Sequence, residues 1–267
     1  MIGATTPREV AKVAFLGLGR MGTPMATNLA TAWPDLVLHN RTRSKADDLA
    51  ERIGAEVADT PRGAAERADL IITMLADEAA LRGVCEGPDG LLAGLRDGTI
   101  LVDMGTTGPA AVAEVARSVA EAGGVLVDAP VSGSTSAAES AELTIMVGAP
   151  QDVFATVEPV LRAMGRSVHH LGDTGAGAVA KLAVNNVIYA LGNGLSESLI
   201  LAERAGIDRE RIYDVFEDSA VAAPMVGYRR PAFLFPDETP AAFAMTLARK
   251  DLRLITELAA TLGLPVQ

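Results

Sequence analysis

A lysine and an asparagine set into an apolar helix are the residues in this sequence best placed to do chemistry. The stretch from Thr174 to Asn186 reads Thr-Gly-Ala-Gly-Ala-Val-Ala-Lys-Leu-Ala-Val-Asn-Asn, and from Ala178 to about Glu203 nearly every residue is a helix former or apolar. That run exceeds the ~10 to 14 residues of an average helix. Apolar residues fall on all its sides, which predicts a helix buried all round. Lys181 and Asn185 are four residues apart, so the ammonium and the carboxamide share one face. A lysine against an apolar wall can give or take a proton near neutral pH, and an amide one turn on can orient its substrate. The same lysine could instead snorkel to the surface or pair with a carboxylate.

The elements that must position this pair begin at Lys12. Val-Ala-Phe-Leu-Gly follows, a short apolar run suited to a strand buried on both faces, with glycines at 17, 19 and 22. Gly17-Leu18-Gly19-Arg20-Met21-Gly22 has the G-x-G-x-x-G spacing, and Pro24, Met25, Ala26 and Leu29 continue as a helix. Glycine permits the tight turn and the approach of backbone to a pyrophosphate, and the helix N-terminus faces the anion. Alone the motif is weak; strand before, helix after and a second strand at 35–39 make it a dinucleotide site. Where an NAD-binding unit carries an acid for the ribose hydroxyl, this chain has Asn40, followed by Arg41, Thr42, Arg43 and Lys45. Missing acid and gained cations both suit a 2′-phosphate, hence NADP, with NAD as the alternative. These residues could also cap and solvate the next helix, with Ser44 as its N-cap.

Composition narrows the field. The 267 residues are 49% hydrophobic and 21% charged, ordinary for a globular protein and long enough for two domains. Thirty-four acidic against 23 basic residues give a net charge of -11, which argues against nucleic acid and anionic membranes as partners. The single cysteine, Cys85, rules out an internal disulfide and fits a reducing cytoplasm. Polar and proline residues at 5–9 do not read as a secretory leader, and no apolar run is long enough to span a bilayer.

Further strand-like runs lie at 70–74, 99–103, 125–129, 143–147 and 168–171, most separated by alanine-rich helical stretches such as 109–122. Alternation of this kind predicts a largely parallel sheet, with mixed pairing in its later strands. Thr106 ends one such unit on the ligand-facing side, where it could reach a nicotinamide or simply serve the turn. In Asp128-Ala-Pro-Val-Ser-Gly, Ser132 and Gly133 can offer a hydroxyl and backbone N–H groups to a carboxylate, or form a plain turn. His169 and His170 have no third ligand and read as strand-end residues, so no metal site is expected. Gly172 to Gly177 is the one strong late break, and everything after it reads as helix. The domains are therefore placed at 1–172 and 173–267. In a final helix from about Ala241, Phe243 is most simply core and Lys250 most simply solvated.

Together these stretches resemble the β-hydroxyacid dehydrogenase family, which includes 3-hydroxyisobutyrate dehydrogenases and glyoxylate or succinic semialdehyde reductases. Residues 15–26 are similar to its cofactor signature, 128–133 to its substrate motif and 175–186 to its catalytic motif. Lys250-Asp251-Leu252 matches its late cofactor-side motif. The resemblance implies Lys181 as catalytic lysine and Ser132, Gly133, Asn185 and Phe243 as substrate-binding. On the cofactor side it implies residues 17–22, Asn40-Arg41-Thr42, Met74, Leu75, Thr106, Lys250 and Asp251. Departures are Ser134 and Ala141, where the family more often has glycine, and Gly105, where it has serine. The first two are expected to narrow the space around the substrate loop. The family pattern also continues through more helix beyond Leu264-Pro265-Val266-Gln267.

The expected fold is a Rossmann-type doubly wound α/β domain, its sheet parallel and partly mixed, followed by an all-helical C-terminal domain. The active site is expected between the two. The expected activity is NADP-dependent hydride transfer on a small-molecule carboxylate, a β-hydroxyacid or its semialdehyde, by a cytoplasmic homodimer or homotetramer. Imine reduction remains an alternative, although imine reductases usually lack this lysine. A catalytically silent NADP-binding protein is the other.

Overall fold

Four-residue apolar strands with glycine-rich ends and alanine-rich helices between them dictate a wound sheet, and this is what the chain builds. The computed structural model describes residues 10–241 and 243–266; residues 5–9, read above for a leader, lie outside them. In chain order the elements are β1 (Val13–Leu16), α1 (Gly22–Ala32), β2 (Leu36–His39), α2 (Arg43–Ile53), β3 (Glu56–Val57), α3 (Pro61–Ala65) and β4 (Leu70–Thr73). Next come α4 (Glu78–Cys85), α5 (Leu91–Gly94), β5 (Ile100–Asp103), α6 (Pro109–Glu121), β6 (Val125–Asp128), β7 (Val131–Ser132) and α7 (Thr135–Glu139). The remainder is β8 (Leu143–Gly148), α8 (Gln151–Arg162), β9 (Gly165–Gly172), α9 (Ala176–Arg204), α10 (Arg209–Asp218), α11 (Pro224–Leu234) and α12 (Met245–Thr261).

The sheet runs β3-β2-β1-β4-β5-β6-β8-β7, with β9 paired to β8. From β3 through β6 every pair is parallel. The order reverses between β1 and β4, the switch point outside which doubly wound sheets bind their ligands. Mixed pairing enters late, as expected: β8 is antiparallel to β6 and β7 and parallel to β9. Alternate residues of each strand feed two cores. Val13, Phe15, Leu38, Ile72 and Val127 meet α1, α2 and α8 on one face. Ala14, Leu16, Ile71, Leu101 and Leu126 meet α6 on the other. Burial on both faces explains why these strands read as unbroken apolar runs.

Two compact units result, Met1–Lys181 and Leu182–Gln267. This division falls inside α9, later than the break at Gly172 suggests, because the start of that helix is hydrogen-bonded into the first unit. The second unit is helical, with Leu195, Leu199, Tyr213, Met225 and Val226 in one cluster and Leu182, Leu254 and Ile255 in another.

Several local expectations are corrected. The long helix is not buried all round: Val187, Ile200 and Leu201 are 66%, 57% and 72% exposed. Thr42, not Ser44, precedes α2 as its N-cap residue. The final helix starts at Met245, so Phe243 precedes it and is exposed rather than core. Among the described residues, no helix is long and apolar enough to cross a membrane.

Candidate active site

The glycine-rich loop is explained partly by the protein itself. Gly17 has φ +100°, and a β-carbon there would strike the Met74 carbonyl and the Leu75 side chain. At Gly22 a β-carbon would strike the Gly17 carbonyl. Gly19 is different, for a β-carbon there meets nothing within 4 Å. The middle glycine therefore answers to no protein neighbour, which is what backbone approach by a pyrophosphate requires. Helix α1 leaves its N-terminus to the same purpose: Met21 supplies no side-chain cap and the first turn holds no acidic residue. The residues present thus fit a dinucleotide.

Asn40 has a structural role that the missing acid alone did not reveal. Its Oδ1 accepts from the Leu18 amide at 3.0 Å and its Nδ2 donates to the Thr42 carbonyl at 2.9 Å. One carboxamide thereby ties the glycine loop to the end of β2, and Arg41 and Thr42 beyond it are exposed. Arg43 is engaged elsewhere, by Asp47 at 2.7 Å and by Asp59. Arg41, just past β2, and Lys45, in the first turn of α2, are exposed.

On the neighbouring strand end, Asp103 is buried and gathers Thr73 Oγ1 at 2.8 Å, Thr107 Oγ1 at 2.9 Å and the Gly105 amide at 3.3 Å. This knot sets the loop that carries half-buried Thr106, and Thr107 is one of the side chains that tie it. A β-carbon on Gly105 would sit 3.0 Å from the Leu75 carbonyl.

Ser132 pairs with Thr144 across β7 and β8, and Gly133 follows at φ +148°, exposed. Ser134 does not reach into the loop: its Oγ caps α7 by accepting the Ala137 amide at 3.2 Å. Ala141, just past that helix, has φ +55° and is the one non-glycine residue with positive φ among the described residues. A glycine would sit there without that strain.

The start of α9 is built on Asp128. This carboxylate, ending β6 and 1% exposed, accepts the Gly175 amide at 2.6 Å and the Ala178 amide at 2.7 Å. Alongside, Thr174 Oγ1 donates to the Leu126 carbonyl at 3.0 Å. Gly148 and Gly177 allow this approach, since a β-carbon on either would overlap Asp128 and backbone around it. Burial raises the Asp128 pKa above the usual aspartate value, the two N–H donors work against that shift, and nearby Asp103 adds to it. Lys181 follows one turn after Ala178, half-buried.

In the second unit, Asn185 is 6% exposed and donates its Nδ2 to Asp251 Oδ2 at 2.9 Å. Tyr189, a further turn along, donates its hydroxyl to the same oxygen at 2.9 Å. Lys250 is not solvated as expected; its Nζ lies 3.0 Å from Asp251 Oδ1, with 13% of its side chain exposed. Asn185, Lys250 and Asp251 are thus brought together. Sequence reading missed the roles of Asp128, Asp103 and Tyr189. The available signals were a carboxylate closing each of β5 and β6 and a tyrosine continuing the four-residue spacing from Lys181 through Asn185. Burial pushes the Cys85 thiol up to about 12, so it supplies no thiolate.

Comparison with known proteins shows the family. A family model described as the NAD binding domain of 6-phosphogluconate dehydrogenase matches residues 12–172. A second, described as NAD-binding of NADP-dependent 3-hydroxyisobutyrate dehydrogenase, matches 175–267. The chain is 34% identical to 2-(hydroxymethyl)glutarate dehydrogenase of Eubacterium barkeri, over 92% of this chain and 81% of the relative. It is 32% identical to glyoxylate/succinic semialdehyde reductase 2, chloroplastic, of Arabidopsis thaliana, over 96% and 72%. Among solved structures, Mycobacterium tuberculosis 3-hydroxyisobutyrate dehydrogenase with L-serine superposes with a TM-score of 0.83 at 28% identity, covering 96% of this chain and 89% of that one. The chain belongs to the β-hydroxyacid dehydrogenase family of NAD(P)-dependent oxidoreductases.

Proposed function

We propose that this enzyme interconverts a carboxylate-bearing β-hydroxyacid and its semialdehyde with NADP(H), using Lys181 as the proton donor and acceptor. The observation that carries the reading is Lys181 and Asn185 at i and i+4 of α9, the carboxamide fixed by Asp251. When bound, the nicotinamide cofactor supplies or takes the hydride. Residues 17–22 and the uncapped end of α1 receive its pyrophosphate, with Met74, Leu75 and Thr106 beside them. Arg41 and Thr42 receive the 2′-phosphate, and Asn40 presents no negative charge against it. Ser132 and Gly133 hold the substrate carboxylate with a hydroxyl and backbone N–H groups. Asn185 orients the substrate, and Lys250 with Asp251 holds that amide in place.

Negative charge gathers on the substrate oxygen as an aldehyde is reduced, and an acid within hydrogen-bond reach lowers that barrier. Lys181 gives its proton there and recovers it in the reverse direction. Lys181→Ala is expected to keep its fold and NADPH affinity and to lose on the order of 10² to 10⁴ in kcat. Lys181→Arg should fail as well, since guanidinium does not release its proton. Steady-state rates on a semialdehyde panel with NADPH and NADH test the proposal; activity of Lys181→Ala within a few-fold of wild type would overturn it. The exposed apolar residues of α9, among them Val187 and Leu201 on one side, support a homodimer or larger oligomer. Light scattering that finds an active monomer would remove that reading. The lone cysteine supports placement in the cytoplasm.

A further inference from the structure

The N-terminal turn of α9 is held by a side chain that the proposed reaction does not itself use. Asp128 accepts two of the N–H groups that a helix start otherwise leaves without partners, from Gly175 and Ala178. Ala178 lies one turn before Lys181, so the direction of the lysine's helix is set where the carboxylate holds it. The surroundings leave little freedom: Gly148 and Gly177 pack against Asp128 with no room for a β-carbon, and Thr174 bonds the Leu126 carbonyl. A surface cap would not demand a carboxylate 1% exposed at the end of a central strand.

We infer that Asp128 is a positioning residue for Lys181, its carboxylate seating the first turn of α9 so that the lysine presents its amine at a fixed point. The inference rests on Lys181 being the acid–base group. Both carboxylate oxygens accept, and Asn in this place offers one oxygen and sets an NH₂ group against the other N–H. The helix start then shifts, and shifts of this kind at a reacting group are expensive even when they are small.

The test is a double-mutant cycle with Asp128→Asn and Lys181→Ala, read in single turnovers with NADPH and semialdehyde, together with amide hydrogen exchange at Gly175 and Ala178. Asp128→Asn is expected to lower kcat on the order of ten- to a hundred-fold with NADPH affinity within about two-fold of wild type. In the Lys181→Ala background the same change should alter the residual rate by less than about two-fold, because the two act through one group. Exchange at both amides should quicken in Asp128→Asn. Equal rate losses in both backgrounds, or unchanged exchange, would overturn the inference. If Lys181→Ala alone keeps kcat within a few-fold of wild type, the acid–base reading falls and takes this inference with it, an outcome identified by that single variant. Should Asp128→Asn not fold, Thr174→Val carries the same cycle: a few-fold loss confined to the Lys181 background supports positioning, and an equal loss in both overturns it.

Discussion

Two helices start within the first unit beside glycines, α1 at Gly22 and α9 just after Gly175, and their N-termini are treated in opposite ways. Helix α1 starts with no side-chain cap and no acid in its first turn, beside a Gly19 that faces open space. The start of α9 has a buried carboxylate on the amides of Gly175 and Ala178. Both ends carry the same partial positive charge from aligned peptide dipoles. Withholding a carboxylate leaves a place for an anionic ligand, whereas supplying one from inside turns the same chemistry into an anchor. Whether a helix start is a binding site is thus decided by which side chain, if any, the fold already aims at it.

A methyl group breaks the comparison most severely. Gly22→Ala and Gly177→Ala each force a β-carbon onto neighbouring backbone, so each is expected to lose about 3 kcal/mol or more of stability in urea unfolding. Gly19→Ala is the contrasting case. It meets no protein atom, so stability should hold within about 0.5 kcal/mol while NADPH affinity falls, as titration of cofactor fluorescence would show. Equal stability losses at 19 and 22 would mean that the open end of α1 is not shaped for a ligand.

A smaller change sharpens the open end. Arg41→Ala should weaken NADPH by roughly 1.5 kcal/mol, about ten-fold, and leave NADH nearly unchanged, because only the 2′-phosphate loses a charge-assisted contact. Equal losses for both cofactors would count against this assignment. The occupied end has a pH signature. Burial raises the pKa of Asp128 in the native state, so the native protein holds that proton more firmly than the unfolded chain does. Its contribution to stability is therefore greatest below the ordinary aspartate range and declines as pH rises through the native value. The stability of wild type relative to Asp128→Asn should fall across that interval, and a rise would show that the two N–H bonds outweigh burial.

Much of this was legible in the chain because the signals are local. The glycine spacing, the apolar strand before it and the 3.6-residue rhythm after it state the first wound unit outright, and the four-residue step from Lys181 to Asn185 is a fact of helix geometry. What stayed hidden depends on distant partners. Nothing near Asp128 in sequence shows that its oxygens meet amides 47 and 50 residues later. Likewise, Lys250 looks like any solvated lysine until Asp251 and Asn185 are seen together. The two-residue strands β3 and β7 are too short for an alternating pattern, and the exposed side of α9 shows that an apolar sequence does not state which of its faces the chain itself covers.

The clamp at Asp128 also bears on how the molecule comes into being. A chain made from its N-terminus exposes β6, with its carboxylate, before the residues that will bond to it have been synthesised. The first turn of α9 is held from β6, whose single bridge to β8 joins Asp128 to Gly148. Closing loops of this length costs entropy that only the assembled sheet offsets. Asp128 can hold that first turn only once residues 175 to 178, 47 to 50 positions further on, have been added to the chain.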